Sequence, residues 1–313
     1  MKIFHGFSKI KGWQASSVIA LGVFDGVHRG HQKVIRHAVK RSRGLKAKSV
    51  VITFDPHPVH ILNPLKYCPL IVTVKHRLGL IKELGVDTVI VINFTKKFSR
   101  LGCEQFVKKY LVDTLHMCEI VVGDDFRFGC EHQGTARSLK QLGHDHGFGS
   151  TIIPVRSQGQ KTISSSSVRQ FISEGNLTKA SRLLGRPVSL IGKVVHGDAR
   201  GKRLGYPTAN IQPDQKILLP VGVFVVSILI NKQRYYGLAN IGRRPSFKSF
   251  QELIVEVHFF NFDQNIYGKE ILIEFLKKIR NERMFRCQQD LIRQIQIDEK
   301  KARLFLKKKK GRL

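Results

Sequence analysis

The pattern of apolar runs changes character partway along the chain, and this change limits the folds open to it more than any other feature. In the first half, Val18–Phe24, Ser49–Phe54, Thr88–Asn93, Glu119–Gly123 and Thr151–Val155 are nearly continuous in apolar residues. Amphipathic stretches lie between them at Gly30–Ser42, Val74–Leu84, Glu104–Leu115 and Thr135–His146, with Gly44, Gly85 and Gly147 as stop signals. Strands buried on both faces and alternating with helices predict five βα units around a doubly wound parallel sheet, an α/β domain. Ser164–Ser167 then precedes a helix at Val168–Glu174, a second helix covers Leu177–Leu184, and Gly185-Arg186-Pro187 breaks the pattern. The domain boundary is expected there, giving domains 1–185 and 186–313. Beyond it, runs rich in β-branched and aromatic residues follow with no long helix between them: Val188–Val195, Val223–Ile230, Arg234–Ile241, Leu253–Phe260 and Ile271–Leu276. These read as an antiparallel barrel or sandwich, closed by a C-terminal helix across Cys287–Phe305.

A chain of 313 residues has the length for two such domains. Its 54 Lys and Arg against 23 Asp and Glu give a formal charge of +31, which attracts polyanions and phosphorylated small molecules. Nucleic acid is the usual partner of such a chain, but the basic residues are spread along it rather than gathered in one block, which weighs against that partner. The tail Lys307–Lys310 with Arg312 reads as a solvated end. Five cysteines without a CxxC pair suggest neither a disulfide framework nor a structural zinc site. Runs such as Val223–Ile230 fall far short of the ~20 residues of a membrane helix, and Met1–Trp13 lacks the order of a signal peptide. No membrane association and a cytoplasmic location are therefore expected.

Directly after the first apolar run comes Gly22-Val23-Phe24-Asp25-Gly26-Val27-His28-Arg29-Gly30-His31, leading into a helix. The glycines let backbone approach a phosphate, and the helix start offers free N–H groups and partial positive charge. His28 and His31 lie one turn apart, where two imidazoles can stabilise charge on a transferring phosphoryl group. A bare HxxH could equally hold a metal or lie at the surface. Three further segments fall on the ligand edge of the same sheet: Thr53-Phe54-Asp55-Pro56-His57-Pro58, Gly123-Asp124-Asp125-Phe126-Arg127-Phe128-Gly129, and Ile163-Ser164-Ser165-Ser166-Ser167-Val168-Arg169. The serine run is suited to an N-cap and, with Arg169, to triphosphate binding.

In the second half, Gly197-Asp198-Ala199-Arg200-Gly201-Lys202-Arg203-Leu204-Gly205 forms a glycine-rich basic loop before a Tyr206-Pro207-Thr208-Ala209-Asn210 turn. Such a loop can cradle phosphates through backbone N–H groups, or it can be a plain barrel turn with a Pro kink. Gly237–Ser246 and Val255-Glu256-Val257-His258 follow, with Glu256 on an alternating strand, and Arg280-Asn281-Glu282-Arg283-Met284-Phe285 leads into the last helix.

The first segment resembles the GxFDGxHxGH motif of nucleotidyltransferases. Together with the PTAN segment, the whole set resembles the prokaryotic bifunctional riboflavin kinase/FAD synthetase family over nearly the full chain. The resemblance implies an FMN adenylyltransferase domain followed by a barrel riboflavin kinase domain, with ATP as co-substrate, riboflavin, FMN and FAD as substrates and products, and Mg²⁺ bridging triphosphate oxygens. It implies that His28 and His31 steady the triphosphate, with Gly22, Phe24, Asp25, Gly26 and Gly30 forming the phosphate turn. His57 and Asp125 would line the nucleotide pocket, and Ser165, Ser166 and Arg169 would hold phosphates. In the kinase half, Gly197, Gly201 and Gly205 would belong to the ATP loop, Thr208 and Asn210 would contact Mg²⁺ and ATP phosphates, and Glu256 would be the general base. Arg280, Arg283 and Phe285 would contact flavin. Phe224 departs from the family, which usually has Tyr there, and this puts one hydrogen bond in doubt. A nucleic-acid-binding protein on a nucleotidyltransferase scaffold would need a KMSKS-like loop or an anticodon-binding domain, and the sequence offers neither. A form with one active and one relic domain finds no support in either motif set.

Overall fold

Residues 1–10, 12–154, 163–197, 201, 205–243 and 253–310 are described by the structure, a computed structural model. Val155, residues 198–200 and 202–204 of the basic loop, Arg244, Pro245, Ser246 and Arg312 lie outside them. The chain divides into two compact units, one of Met1–Leu70 with Val74–Ser165 and one of Ile71–Thr73 with Ser166–Leu313. The helix pair before the boundary expected at residue 185 is thus grouped with the second unit.

In the first unit the chain runs through β1 (Lys2–His5), β2 (Ser17–Leu21), α1 (Arg29–Gly44), β3 (Lys48–Asp55), α2 (Pro58–Leu62), α3 (Val74–Lys82) and β4 (Thr88–Asn93). It continues through α4 (Lys96–Ser99), α5 (Cys103–Phe106), a π turn at Val107–Val112, β5 (Met117–Gly123), a small hairpin of β6 (Arg127–Phe128) and β7 (Gly134–Thr135), α6 (Ala136–His146) and β8 (Gly149–Ile153). The six-stranded sheet has the order β1-β4-β3-β2-β5-β8, with every pair parallel. Successive side chains of β2 serve opposite faces, as a strand period of two requires. Ile19 and Leu21 pack with Leu111, Leu115 and Leu139 on one side. Val18 and Ala20 pack with Val34, Ile35 and Ala38 of α1 and with Ile81 of α3 on the other. Burying each such aliphatic side chain contributes about 1.5–3 kcal/mol.

Three expectations change here. The first run leaves the sheet at Leu21 rather than Phe24, because Phe24 turns into the left-handed region at φ 52°. The stretch expected as one helix over Glu104–Leu115 is a four-residue α5 followed by the π turn, in which Tyr110 stacks beside Phe7 at 4.6 Å. A sixth strand, β1, joins the sheet at its edge beside β4.

From Ser166 on, the second unit holds the rest of α7 (Ser165–Ser173) and α8 (Leu177–Leu184), then β9 (Val188–Val195), β10 (Thr208–Gln212), β11 (Gly222–Ile230), β12 (Gln233–Arg243), β13 (Leu253–Phe259), β14 (Glu270–Arg280) and α9 (Gln288–Lys310). The six strands close into an antiparallel barrel in the order β10-β13-β12-β11-β14-β9, which leaves no edge to pair. The PTAN segment, expected as a turn, is the start of β10: Thr208, Ala209 and Asn210 pair with β13, and Asn210 also pairs with β9. Phe224 is fully buried and packs edge-on to Phe275 at 5.6 Å, so a Tyr hydroxyl would need a partner that this apolar position does not need. Lys307–Lys310 continues α9, and Lys307 and Lys308 are exposed there, as a solvated end requires.

Candidate active sites

In the parallel sheet, β3 and β4 extend to one side of β2 while β5 and β8 extend to the other. The chain therefore reverses direction at the β2/β5 pair, and the crevice beyond the carboxyl ends of those strands is where open α/β sheets bind ligands. The residues that follow β2 are the Gly22–His31 segment, and those that follow β5 include Asp125, which is exposed in its turn. Both lie where the topology calls for a ligand.

The turn after β2 is tight and partly left-handed. Phe24, Gly26 and Val27 have φ of 52°, 77° and 42°. Only glycine adopts the Gly26 conformation without steric cost, and the two non-glycine residues store backbone strain of about 1–3 kcal/mol each. The result is that α1 begins at Arg29 with its N-terminus directed by His28, whose Nδ1 accepts the His31 N–H at 3.3 Å. The two imidazole rings stack at 3.5 Å with 19° between planes, and Phe24 meets His31 edge-on at 5.3 Å. Phe24 and Asp25 are buried, and His28 is 3% exposed, so the turn is a fixed platform rather than a mobile loop. Two imidazoles at the start of α1, with the positive end of the helix dipole behind them, suit a polyphosphate.

Two other predicted residues fall at neighbouring positions. His57 follows β3 and caps α2, with its Nδ1 accepting the Val59 N–H at 3.2 Å. Ser165 opens α7 and, within the first unit, donates its hydroxyl to the Asp25 carbonyl at 3.2 Å. Ser166 is exposed and Arg169 half-buried in the same helix, and both belong to the second unit.

One residue at this site was not singled out from the sequence. Arg77 of α3 is 1% exposed. Its Nη1 donates to the Val23 carbonyl and to Thr53 Oγ1, the latter at 3.1 Å, and its Nη2 donates to the Phe54 carbonyl at 3.1 Å. Thr53 Oγ1 also donates to the Val23 carbonyl at 2.7 Å. The guanidinium thereby latches the phosphate turn to the end of β3. Burial lowers its pKa, while the charges of Asp25 and Asp55 act to raise it.

The barrel site is set by register. Asn210 stands directly opposite Glu256, which in turn faces Asn240 across β12, and Thr208 stands opposite His258. Directly opposed residues of an antiparallel pair put their side chains on the same face. Thr208, Asn210, Glu256 and His258 therefore share one half-buried face, while Ile211, Val255 and Val257 are buried on the other. Gly197 and Gly201 fit against this face: a Cβ on Gly197 would collide with the Asn210 amide, and one on Gly201 with the Tyr206 carbonyl and Thr208. Gly205 has φ 79°, open to glycine. His258 Nδ1 lies 3.0 Å from the Pro207 carbonyl, and His196 stacks on Tyr267 at 3.9 Å beside the loop. A hydroxyl, a carboxamide and a carboxylate on one face are hard oxygen donors of the kind Mg²⁺ accepts alongside substrate phosphates. Among the described residues no cluster of three or more His, Cys, Asp or Glu could hold a metal ion without such help.

The residues expected to contact flavin have partners within the protein. Arg280 Nε donates to Asp298 Oδ2 at 2.7 Å, Gln294 donates to Asp298 Oδ1 at 2.7 Å, and Arg280 Nη1 donates to the Asn281 carbonyl. The Phe285 ring lies between cations, with Arg280 at 5.6 Å and Arg283 at 4.6 Å.

Two family models match the chain in succession. The family model for FAD synthetase matches residues 11–167, and the one for riboflavin kinase matches residues 184–306. The bifunctional riboflavin kinase/FMN adenylyltransferase of Listeria monocytogenes is 38% identical over 309 residues, covering 98% of both chains. The protein of the same name from Buchnera aphidicola of Schizaphis graminum is 37% identical over 304 residues, covering 95% of this chain and 96% of its own. A solved structure from Streptococcus pneumoniae, named a macrolide-efflux protein, has a TM-score of 0.86 at 33% identity and covers 97% of this chain and 99% of that one. Its name describes an activity that neither family model carries; what it shares is the fold. Among the described residues no helix is long and apolar enough to cross a membrane. With both family models matched in order and relatives of the same composite name aligned nearly end to end, the chain belongs to the bifunctional riboflavin kinase/FMN adenylyltransferase family.

Proposed function

We propose that this chain makes both flavin cofactors from riboflavin, using one ATP site in each half: domain 186–313 phosphorylates riboflavin to FMN, and domain 1–185 joins AMP from ATP to FMN, giving FAD and pyrophosphate. One observation carries the reading. The FAD synthetase match falls on the sheet that holds the His28/His31 turn, and the riboflavin kinase match falls on the barrel that opposes Asn210 to Glu256.

In the kinase step, Glu256 takes the proton of the ribityl hydroxyl as its oxygen bonds the γ-phosphorus of ATP, and ADP leaves. Thr208 and Asn210 hold the phosphates from the neighbouring strand, with Gly197, Gly201 and Gly205 letting the loop backbone approach. In the adenylylation step, a phosphate oxygen of FMN bonds the α-phosphorus of ATP and the bond to pyrophosphate breaks. His28, His31 and the start of α1 donate hydrogen bonds to the charge that builds on the departing oxygens. Gly22, Phe24, Asp25, Gly26 and Gly30 shape that cradle, while His57, Asp125, Ser165, Ser166 and Arg169 line the nucleotide. Thr208 and Asn210 would hold Mg²⁺ in the barrel, where it would supply charge neutralisation on the triphosphate. Both reactions are placed in the cytoplasm, where ATP is available.

Incubation with riboflavin, ATP and Mg²⁺, with flavins resolved over time, tests the scheme. FMN should appear first and FAD later. His28→Ala should stop at FMN, with adenylylation slowed roughly 10²–10³-fold. Glu256→Ala should make FAD only from supplied FMN, with the kinase step slowed about 10²–10⁴-fold. Failure of the wild-type chain to convert either flavin would sink the reading.

A further inference from the structure

The positive charge that looks dispersed in the sequence is gathered by folding. Between Gly26 and Phe54 the chain has no Asp or Glu, and α1 carries Lys33, Arg36, Lys40 and Arg43 at helical spacing on one face. All four are exposed. Among the described residues no carboxylate comes within 4.0 Å of their nitrogens. Arg41, off this stripe, is the α1 cation that is paired, with Glu119 at 2.7 Å. The stripe runs about 15 Å at 1.5 Å per residue. Exposed Lys46 and Lys48 extend it past the helix end.

A row of exposed cations without carboxylate neighbours attracts a partner with a row of anions. A lipid surface does not fit, since an interfacial helix turns its apolar face to the bilayer, whereas Val34, Ile35, Ala38 and Val39 are buried against the sheet. A single-stranded nucleic acid is held through aromatic platforms, and α1 has no Phe, Tyr or Trp. A duplex requires neither. Its strand presents a phosphate about every 3.4 Å along the axis, so a cationic row of this length can follow several in succession. We propose that the outer face of α1 docks the phosphate backbone of a nucleic-acid duplex, independently of base sequence.

The test is fluorescence anisotropy with a mixed-sequence DNA duplex of about 20 base pairs, titrated between about 50 and 200 mM salt. Arg36→Glu with Lys40→Glu should lower the slope of log K against log salt by roughly 1.8, which changes the salt-induced loss of affinity by about tenfold over that range. Lys300→Glu with Lys301→Glu on exposed positions of α9 changes net charge equally and should leave the slope near wild type. Unchanged riboflavin kinase and FMN adenylyltransferase rates confirm that both double variants fold. Equal slopes in the two double variants, or binding to phosphatidylserine vesicles but not to the duplex, would overturn the proposal.

Discussion

A guanidinium shut away from water costs free energy where its donors go unmatched, and Arg77 partners Nη1 and Nη2 with the carbonyls of Val23 and Phe54 and the hydroxyl of Thr53 while its Nε stays buried without a partner. Those partners lie in the turn after β2 and at the end of β3, on the ligand edge of the sheet. Arg77→Met removes the latch, so FMN adenylylation should fall on the order of 10²-fold as the phosphate turn shifts. The riboflavin kinase rate in the same chain should stay unchanged, and Arg77→Lys should recover part of the loss. A parallel fall in both activities would assign Arg77 to general stability instead. The contrast with His28 explains what a sequence can disclose about a site. His28 and His31 sit in one local motif whose spacing already states their relation, and the structure stacks them as that spacing implies. Arg77 is a basic residue on an amphipathic helix, which reads as solvent-facing. Its burial depends on a turn and a strand end more than twenty residues away, which local pattern does not encode.

At the level of elements, the long strands and helices were legible because each buries a periodic apolar face; β4, α8 and β9 have the expected limits. What escaped local pattern depends on a partner. β1 is a four-residue edge strand, mostly exposed, held by its pairing with β4. β10 contains Asn and follows Pro, both turn formers, yet it is a strand because β9 and β13 supply its ladder. The same dependence predicts how α9 is attached. Asp298 is 1% exposed and joins Arg280 of β14 to Gln294 of α9. Asp298→Ala strands the Arg280 charge and should cost about 3 kcal/mol, read as a lower melting temperature of the variant. A loss below about 0.5 kcal/mol would show that α9 packs without this pair. For α6, the reciprocal Thr135/Ser138 cap at its start predicts a milder loss of about 1 kcal/mol for Thr135→Ala.

Over the whole molecule, acid should act on two levels at once. Burial pushes the Glu119 carboxyl up, but hydrogen bonds from Arg41 and Thr151 and the Arg41 charge outweigh it and hold it below its ordinary value. Asp87 is likewise pushed up by burial and brought down further by the Ser49 N–H and hydroxyl, with Lys48 adding to the effect. Because both folded values lie below the unfolded ones, the unfolded chain binds protons first as pH falls. The stability these groups contribute is therefore complete above the unfolded carboxylate range near pH 4 and is lost as pH drops through the folded values. The same protonation removes negative charge from a chain already at +31, so self-repulsion grows while the ion pairs weaken. Melting temperature should fall steeply below about pH 4.5, and Glu119→Gln should start lower at neutral pH and show a shallower fall. Salt separates the two contributions. Screening relieves repulsion among exposed cations over a Debye length of about 8 Å at physiological ionic strength but reaches the nearly buried Glu119 carboxylate far less. Raising salt at neutral pH should therefore raise the melting temperature. A fall with salt would mean that attractive surface pairs outweigh the net charge.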